Sequence, residues 1–287
     1  MQDLTLPLLR ERFPLPSHDG EGSKDERGRV LVIGGHRTVP GGALLAATAA
    51  LRAGAGKLQV ATVDSIAVPL GVAIPESLTA GYGEAEDGGF PAGAADRIAE
   101  RAAKVDAALL GPGMLDGVGT DALVAALLGT DAPLILDAAA ISALSPHEER
   151  ARMRGKLAIL PHSGELAGLR GAEQDEIEAD PAGVGTDTAR RWGAVTLVKG
   201  SESHVAGPDG ELFRYAGGGI GLATSGSGDV LAGIVAGLAS RGLEPLAATL
   251  WGVWLHGEAG RRLAGRVGRV GFLARELLDE VPGLLDG

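Results

Sequence analysis

Cysteine is absent from the 287 residues, which excludes disulfides, thiolate metal sites and thiol nucleophiles. Aromatic residues are scarce, at 3%, although 45% of the chain is hydrophobic. The core must therefore be built mostly from Ala, Leu, Val and Ile. Positive charge is in deficit: 26 Lys and Arg against 37 Asp and Glu leave a net charge of −11. That balance argues against bulk attraction to nucleic acid or to an anionic lipid surface. No apolar run approaches a membrane span and the N-terminus lacks a signal-peptide core, so the expected location is cytoplasmic. Zinc-ligand spacing and the GxxxxGK(S/T) phosphate loop are missing as well.

Glycine is abundant instead, with 47 residues. Either tight helix–sheet contacts and ligand-facing turns or a GC-rich genome accounts for it. The length permits one large α/β domain or two small ones. No linker divides the chain, and the expected organisation is a polar lead-in over 1–23 followed by a single α/β domain over 24–287, with a short helix starting at Leu4–Leu9.

Short apolar strands are expected at 30–33, 57–62, 107–110, 134–136, 156–160 and 194–198, separated by helices near 41–53, 94–104, 120–128, 139–144 and 186–192. These strands lack polar alternation, which reads as a parallel sheet covered on both faces. Residues 64–94 read as irregular, with Glu76 and Tyr82 in or near binding loops. Gly207-Pro208-Asp209-Gly210 is a hairpin turn between 203–206 and 211–215, placing antiparallel strands at one edge. The first βαβ unit, with GGHRTVPGG, does not match the GxGxxG dinucleotide pattern and no acidic residue ends its second strand.

The stretch of greatest chemical interest is GGGIGLATSGSGDVLAGIVAGLASR, over 217–241. A glycine-rich loop ends at Gly226-Ser227-Gly228-Asp229 and opens into a helical apolar pattern of Val230, Leu231, Ile234, Val235 and Leu238. Free amides and the positive end of a helix dipole make an anion site there. A carboxylate at Asp229 repels a phosphate but suits a base that takes a proton from a hydroxyl attacking phosphorus. The plainer alternative is that Ser227 or Asp229 only caps the helix.

Polar and glycine turns recur at the expected strand ends: 34–37, 111–114, Asp137, 161–165 and 199–200. Ligands gather at such ends in open α/β sheets. Asp137 either binds a substrate group or hydrated magnesium, or caps the next helix. His162 and Glu165 either orient a hydroxyl or magnesium-bound water, or form a cap-and-first-turn pair. Lys199 either meets a phosphate or is a surface lysine. His256, beside Trp254, reads as a satisfied histidine rather than a ligand. Met114 offers no chemistry, and Arg52 and Lys57 read as solvated, with an oligomer face as the other use.

Seven segments in this order closely resemble the ADP/ATP-dependent NAD(P)H-hydrate dehydratases of the ribokinase-like superfamily: KDERGRVLVIGG (24–35), PGGALLAATAALRAGAGKLQVAT (40–62), LGPGM (110–114), LILDAAAISAL (134–144), PHSGEL (161–166), LVKG (197–200) and GLATSGSGDVLAGIVAGL (221–238). The resemblance implies a three-layer αβα fold with a mostly parallel sheet. It implies repair of hydrated NADH or NADPH, in which ADP or ATP, with Mg²⁺, phosphorylates the ring hydroxyl and loss of phosphate restores the dihydronicotinamide. Carried onto this chain, Asp229 is the base and the amides of Gly226, Ser227 and Gly228 form the anion hole. Lys199, Gly200, Ser203 and Gly228 face the nucleotide, and Gly41, Gly42, Gly113, His162 and Asp229 face the hydrate. Asp137 and Glu165 contact metal-bound water or substrate, with no direct metal ligand assigned. A homodimer or homotetramer and functional pairing with an NAD(P)H-hydrate epimerase are further implications. The chain departs from the family pattern at Ala139, Ser142, Gly219, Ser163 and Val39, and LGPGLG becomes LGPGMLD. The alternatives are a kinase of a vitamin-like or sugar alcohol and a nucleotide-binding protein without turnover.

Overall fold

Runs of Val, Leu, Ile and Ala with no polar alternation become strands buried on both faces, the environment that a central parallel sheet demands. The computed structural model describes residues 1–16 and 26–286. The expected boundary at 23/24, with Lys24 and Asp25, lies outside these residues. The strands are β1 (Gln2–Asp3), β2 (Arg29–Ile33), β3 (Lys57–Thr62), β4 (Ser77–Gly81), β5 (Ala107–Leu110), β6 (Leu134–Leu136), β7 (Leu157–Ile159), β8 (Val195–Val198), β9 (Ser203–Ala206) and β10 (Leu212–Tyr215). They form one sheet in the order β1-β10-β9-β8-β7-β6-β5-β2-β3-β4. Only β9 runs against its neighbours; the remaining pairings are parallel.

The helices are α1 (Leu6–Arg12), α2 (Pro40–Arg52), α3 (Asp64–Ala73), α4 (Ala95–Ala102), α5 (Val118–Leu127), α6 (Ala139–Ser142), α7 (Glu148–Arg154), α8 (Ser163–Arg170), α9 (Gln174–Ala179), α10 (Pro181–Trp192), α11 (Ser227–Ser240), α12 (Pro245–Arg266) and α13 (Ala274–Leu285). They flank a mostly parallel sheet, as the resemblance implies. α2, α11, α12 and α13 pack on one another beside the central strands. α11 is buried almost throughout because it lies so close to α2. A Cβ on Gly233 would stand 2.2 Å from the Ala46 carbonyl oxygen, and one on Gly237 2.5 Å from that of Ala50.

Three departures from the sequence expectations have physical causes. Residues 64–94 are not irregular throughout: α3 forms with Pro69 inside it, burying Ile66 and Leu70, and β4 adds to the sheet edge. Tyr82 is buried beneath Arg97 and Arg101, whose guanidinium carbons lie 5.1 and 5.9 Å from the ring centroid, so it stacks rather than lining a binding loop. The hairpin β9–β10 does not end the sheet. The N-terminal residues do, with β1 pairing parallel to β10 and α1 burying Leu9. Trp251 Nε1 donates to the Phe13 carbonyl at 2.7 Å, and the Phe13 and Phe213 rings meet edge-on at 5.9 Å.

The strand order reverses between β2 and β5, where β3 and β4 continue to one side and β6, β7 and β8 to the other. Connections leaving β2 and β5 diverge there, opening a crevice at the C-terminal ends of the strands.

Candidate active site

Each strand bordering the crevice ends in a residue that contributes to it. β5 runs into Gly111–Met114, β6 into Asp137, β7 into the His162–Glu165 segment and β8 into Lys199. The connection from β2 leads to Gly41 and Gly42 at the start of α2. α11 then brings Asp229 into the same space from the far end of the chain.

Asp229 stands in the first turn of α11 and accepts a hydrogen bond from the Gly113 amide. A Cβ on Gly42 would lie 2.9 Å from Asp229 Oδ1 and 2.5 Å from the Gly113 nitrogen, so no larger residue fits there without displacing the carboxylate. Burial, and next the charge of Asp137, push the Asp229 pKa up to about 6; Lys199 and the Gly113 amide pull against that shift. The group is thereby poised as a proton acceptor near neutral pH.

The helix end around Asp229 has no side-chain cap. Gly226 is the N-cap, in a left-handed conformation with φ 87°, and no side chain hydrogen-bonds to the terminal amides. The Ser227 amide instead donates to the Thr224 carbonyl at 3.2 Å. This changes the expected donor set: Ser227 does not offer a free amide, because a local turn has already taken it. Among the described residues no partner is found for the amides of Gly226, Gly228 and Asp229. Three unpaired donors and the positive end of the helix dipole thus lie within four successive residues.

Lys199 lies below this point. Its Nζ donates to Asp137 Oδ1 at 2.8 Å and lies 3.7 Å from Glu165 Oε2. A Cβ on Gly228 would stand 3.7 Å from the same Nζ. Burial pulls the Lys199 pKa down, but Asp137, Glu165 and Asp229 outweigh it and raise it overall, so the ammonium stays charged. Asp137 is 3% exposed and bound to lysine, and α6 has no side-chain cap, so the capping alternative for Asp137 does not hold. Lys199 likewise is not a surface lysine. Ala138, next to Asp137, is the one non-glycine described residue with positive φ, at 49°. That strained turn carries the chain abruptly from β6 into α6.

For His162 and Glu165 the capping geometry is realised. His162 Nδ1 accepts from the Gly164 and Glu165 amides at 3.1 and 3.2 Å, and Glu165 Oε2 accepts from the His162 amide at 2.8 Å. Because Nδ1 is an acceptor, the proton of the neutral ring resides on Nε2, which lies 3.4 Å from Glu165 Oε1. The ring is 59% exposed. Capping and ligand contact are therefore compatible uses of one residue.

The remaining candidates are less committed. Gly41 is exposed, and a Cβ there would meet nothing within 4 Å. Gly200 follows Lys199 on the surface and Ser203 begins β9, opposite Tyr215. Arg52 pairs with Asp279 at 2.9 Å, remote from the crevice elements. His256 is the residue whose place the sequence did not reveal. It is buried on α12, and its Nε2 lies 2.9 Å from Ser227 Oγ. Helical spacing alone cannot show that two residues 29 positions apart, on successive helices, meet.

Among the described residues no three His, Asp or Glu side chains are grouped to hold a metal ion. The donor set nevertheless fits magnesium carried in with phosphate. Mg²⁺ keeps several waters and takes one or two carboxylates plus phosphate oxygens, and Asp137 and Glu165 lie beside the free amides of α11.

A family model described as NAD(P)H-hydrate dehydratase matches residues 30–283. An ADP-dependent (S)-NAD(P)H-hydrate dehydratase from Xanthomonas campestris is 47% identical over the whole chain and 96% of its own length. A bifunctional NAD(P)H-hydrate repair enzyme from Moorella thermoacetica is 39% identical over 96% of this chain; the match spans only 52% of that relative. The crystal structure of the ADP/ATP-dependent NAD(P)H-hydrate dehydratase from Bacillus subtilis, co-crystallised with ATP and Mg²⁺, superposes with a TM-score of 0.82 at 27% identity, covering 99% of this chain and 98% of the other. A hydroxyethylthiazole kinase from Pyrococcus horikoshii, at 19% identity and a TM-score of 0.60, shares the fold. With a match that takes in every strand of the crevice, this chain belongs to the NAD(P)H-hydrate dehydratase family.

Proposed function

We propose that this protein uses ADP or ATP to dehydrate the S form of NADH or NADPH hydrate. The observation carrying this reading is the position of Asp229: a carboxylate held near neutrality, within a cluster of three unpaired amides, against Gly42 and Gly113 at the sheet's switch point. The hydrate's ring lies against the backbone where Gly42 and Gly113 meet, on the side that His162 borders. Asp229 takes the proton of the ring hydroxyl as its oxygen bonds to the terminal phosphorus of the nucleotide, while the bond from that phosphorus to the bridging oxygen breaks and AMP leaves from ADP, or ADP from ATP. The amides of Gly226, Gly228 and Asp229 stabilise the negative charge on the transferred group. Lys199 holds Asp137 and Glu165 in place and supplies fixed positive charge beside the nucleotide, whose path continues over Gly200 and Ser203. Asp137 and Glu165 would hold magnesium through water, and the ion would supply neutralisation of phosphate charge.

The ring carbon–oxygen bond then breaks, phosphate departs, and a proton leaves the adjacent ring carbon to restore the double bond. Phosphate is the better leaving group than hydroxide from that carbon. The family relationship supports this chemistry, because the Xanthomonas campestris and Bacillus subtilis relatives bear that activity in their names. We further read the chain as a self-associating cytoplasmic protein, a homodimer or homotetramer, acting beside an NAD(P)H-hydrate epimerase. The half of the bifunctional relatives outside the match is the natural place for a second activity.

The test is direct. Purified protein is incubated with NADH or NADPH hydrate, Mg²⁺ and ADP or ATP in turn. Nucleotide-dependent recovery of dihydronicotinamide absorbance with release of phosphate supports the reading. Phosphorylation of small alcohols with no action on either hydrate rejects it.

A further inference from the structure

The pair formed by Ser227 and His256 lies outside the reaction just described. Ser227 is the first residue of α11, and its hydroxyl is 4% exposed at residue level; His256, on α12, is 9% exposed. The two side chains meet at 2.9 Å. The serine hydroxyl thus points into the interface between α11 and α12, while the neighbouring amides of Gly226, Gly228 and Asp229 remain without partners among the described residues.

That arrangement runs against the habit of the residue. Serine hydroxyls at helix starts readily hydrogen-bond to nearby backbone amides. Here such a bond would consume a donor needed for phosphate. We propose that His256 is a positioning residue for the nucleotide site: it captures the Ser227 hydroxyl and so holds the first turn of α11 with its amides open to phosphate. The proposal rests on the nucleotide reading of that helix end. Burial favours a neutral ring, which leaves one nitrogen as donor and the other as acceptor, so the hydrogen bond forms with either direction of the serine proton. The surroundings enforce the contact. α12 packs closely on α11, where a Cβ on Gly252 would stand 2.5 Å from Val235 Cγ2, and α11 in turn lies against α2 through Gly233.

The experiment compares His256→Gln, His256→Leu, Ser227→Ala and the double variant Ser227→Ala/His256→Leu with the native protein. Glutamine can place an amide group where the Nε2 of histidine lies; leucine cannot form the bond. Dissociation constants for ADP and ATP are measured by calorimetry, Michaelis constants for the hydrate by assay, and folding by thermal denaturation. His256→Leu should weaken nucleotide binding by about tenfold, the upper range for one lost hydrogen bond, with the Michaelis constant for hydrate within about twofold of native. His256→Gln should return nucleotide binding to within about threefold. The double variant should bind no worse than His256→Leu alone, because both changes remove one interaction.

Equal weakening toward nucleotide and hydrate, or His256→Gln no better than His256→Leu, overturns the proposal and leaves His256 a packing residue. If His256→Leu does not fold, Ser227→Ala decides by the same one-sided loss of nucleotide affinity, and its absence overturns the proposal. Native protein that fails to bind ADP or ATP at all rejects instead the nucleotide reading on which this one stands.

Discussion

On the proposed reading the proton transfer falls to a single carboxyl group, that of Asp229. Its replacement by Asn keeps the shape and removes the basic oxygen. Turnover should fall by roughly 10²–10⁴-fold, the usual value of a positioned acid–base group, while nucleotide affinity measured by calorimetry is retained. Since the folded-state pKa is raised to about 6, kcat/KM should climb with pH through that value as the carboxyl ionises, and the Asn variant should lack this limb. The linkage sign is opposite for stability. A carboxyl whose pKa is raised by folding favours the folded state at low pH, and the advantage is lost as pH rises from near 4 through about 6. Asp229→Asn should therefore raise the melting temperature at pH 8, with the gain shrinking towards pH 4. Ala138 is a second residue under strain: Ala138→Gly should stabilise the fold by about 1 kcal/mol, because glycine adopts its positive φ freely.

Much of this residue-level picture was legible beforehand. GSGD and the strand-end positions of Asp137, His162, Glu165 and Lys199 marked the crevice, because a parallel sheet delivers its strand ends to one side. Two features were not legible. The diversion of the Ser227 amide to Thr224 depends on a local turn, and the Ser227–His256 contact depends on how two helices cross. Neither follows from spacing along the chain.

At the level of elements, the position of Asp229 is inherited from the contact between α11 and α2. Gly233 lets α11 sit against the Ala46 carbonyl, and Gly42 on the same α2 faces Asp229. Gly233→Ala should force the helices apart and cost about 1–3 kcal/mol, the range for overpacking a close contact, read by chemical denaturation. The same variant should lower kcat, since separating the helices moves the carboxylate away from Gly113. The small residues of α11 were visible in sequence as an apolar helix; their purpose was not, because closeness of approach belongs to the pair of helices. α3 and β4 were hidden for another reason. Pro69 and the glycines around 81–89 look like loop composition, yet burial of Ile66 and Leu70 outweighs the cost of a proline in a short helix.

Across the whole molecule, the sheet runs from β4 at one margin to β1 at the other, and the first strand of the chain protects the flank of β10. Deletion of residues 1–16 should strip the cover from Phe213 and Trp251, remove the hydrogen bond from Trp251 to Phe13, and leave β10 as an open edge. The expected result is a lower melting temperature with concentration-dependent association, seen by calorimetry and light scattering. The alternation of strands and helices made the central sheet readable from sequence. The role of the N-terminal segment was not, because a two-residue strand carries no periodicity to detect.

The pairing of β1 with β10 matches Gln2 to Phe213. A growing polypeptide makes Gln2 well before its mate, because most of this sequence lies between the two. Closing so long a loop is entropically slow. β1 therefore waits, and latches only after the β9–β10 hairpin has assembled, making completion of this margin a late event in maturation.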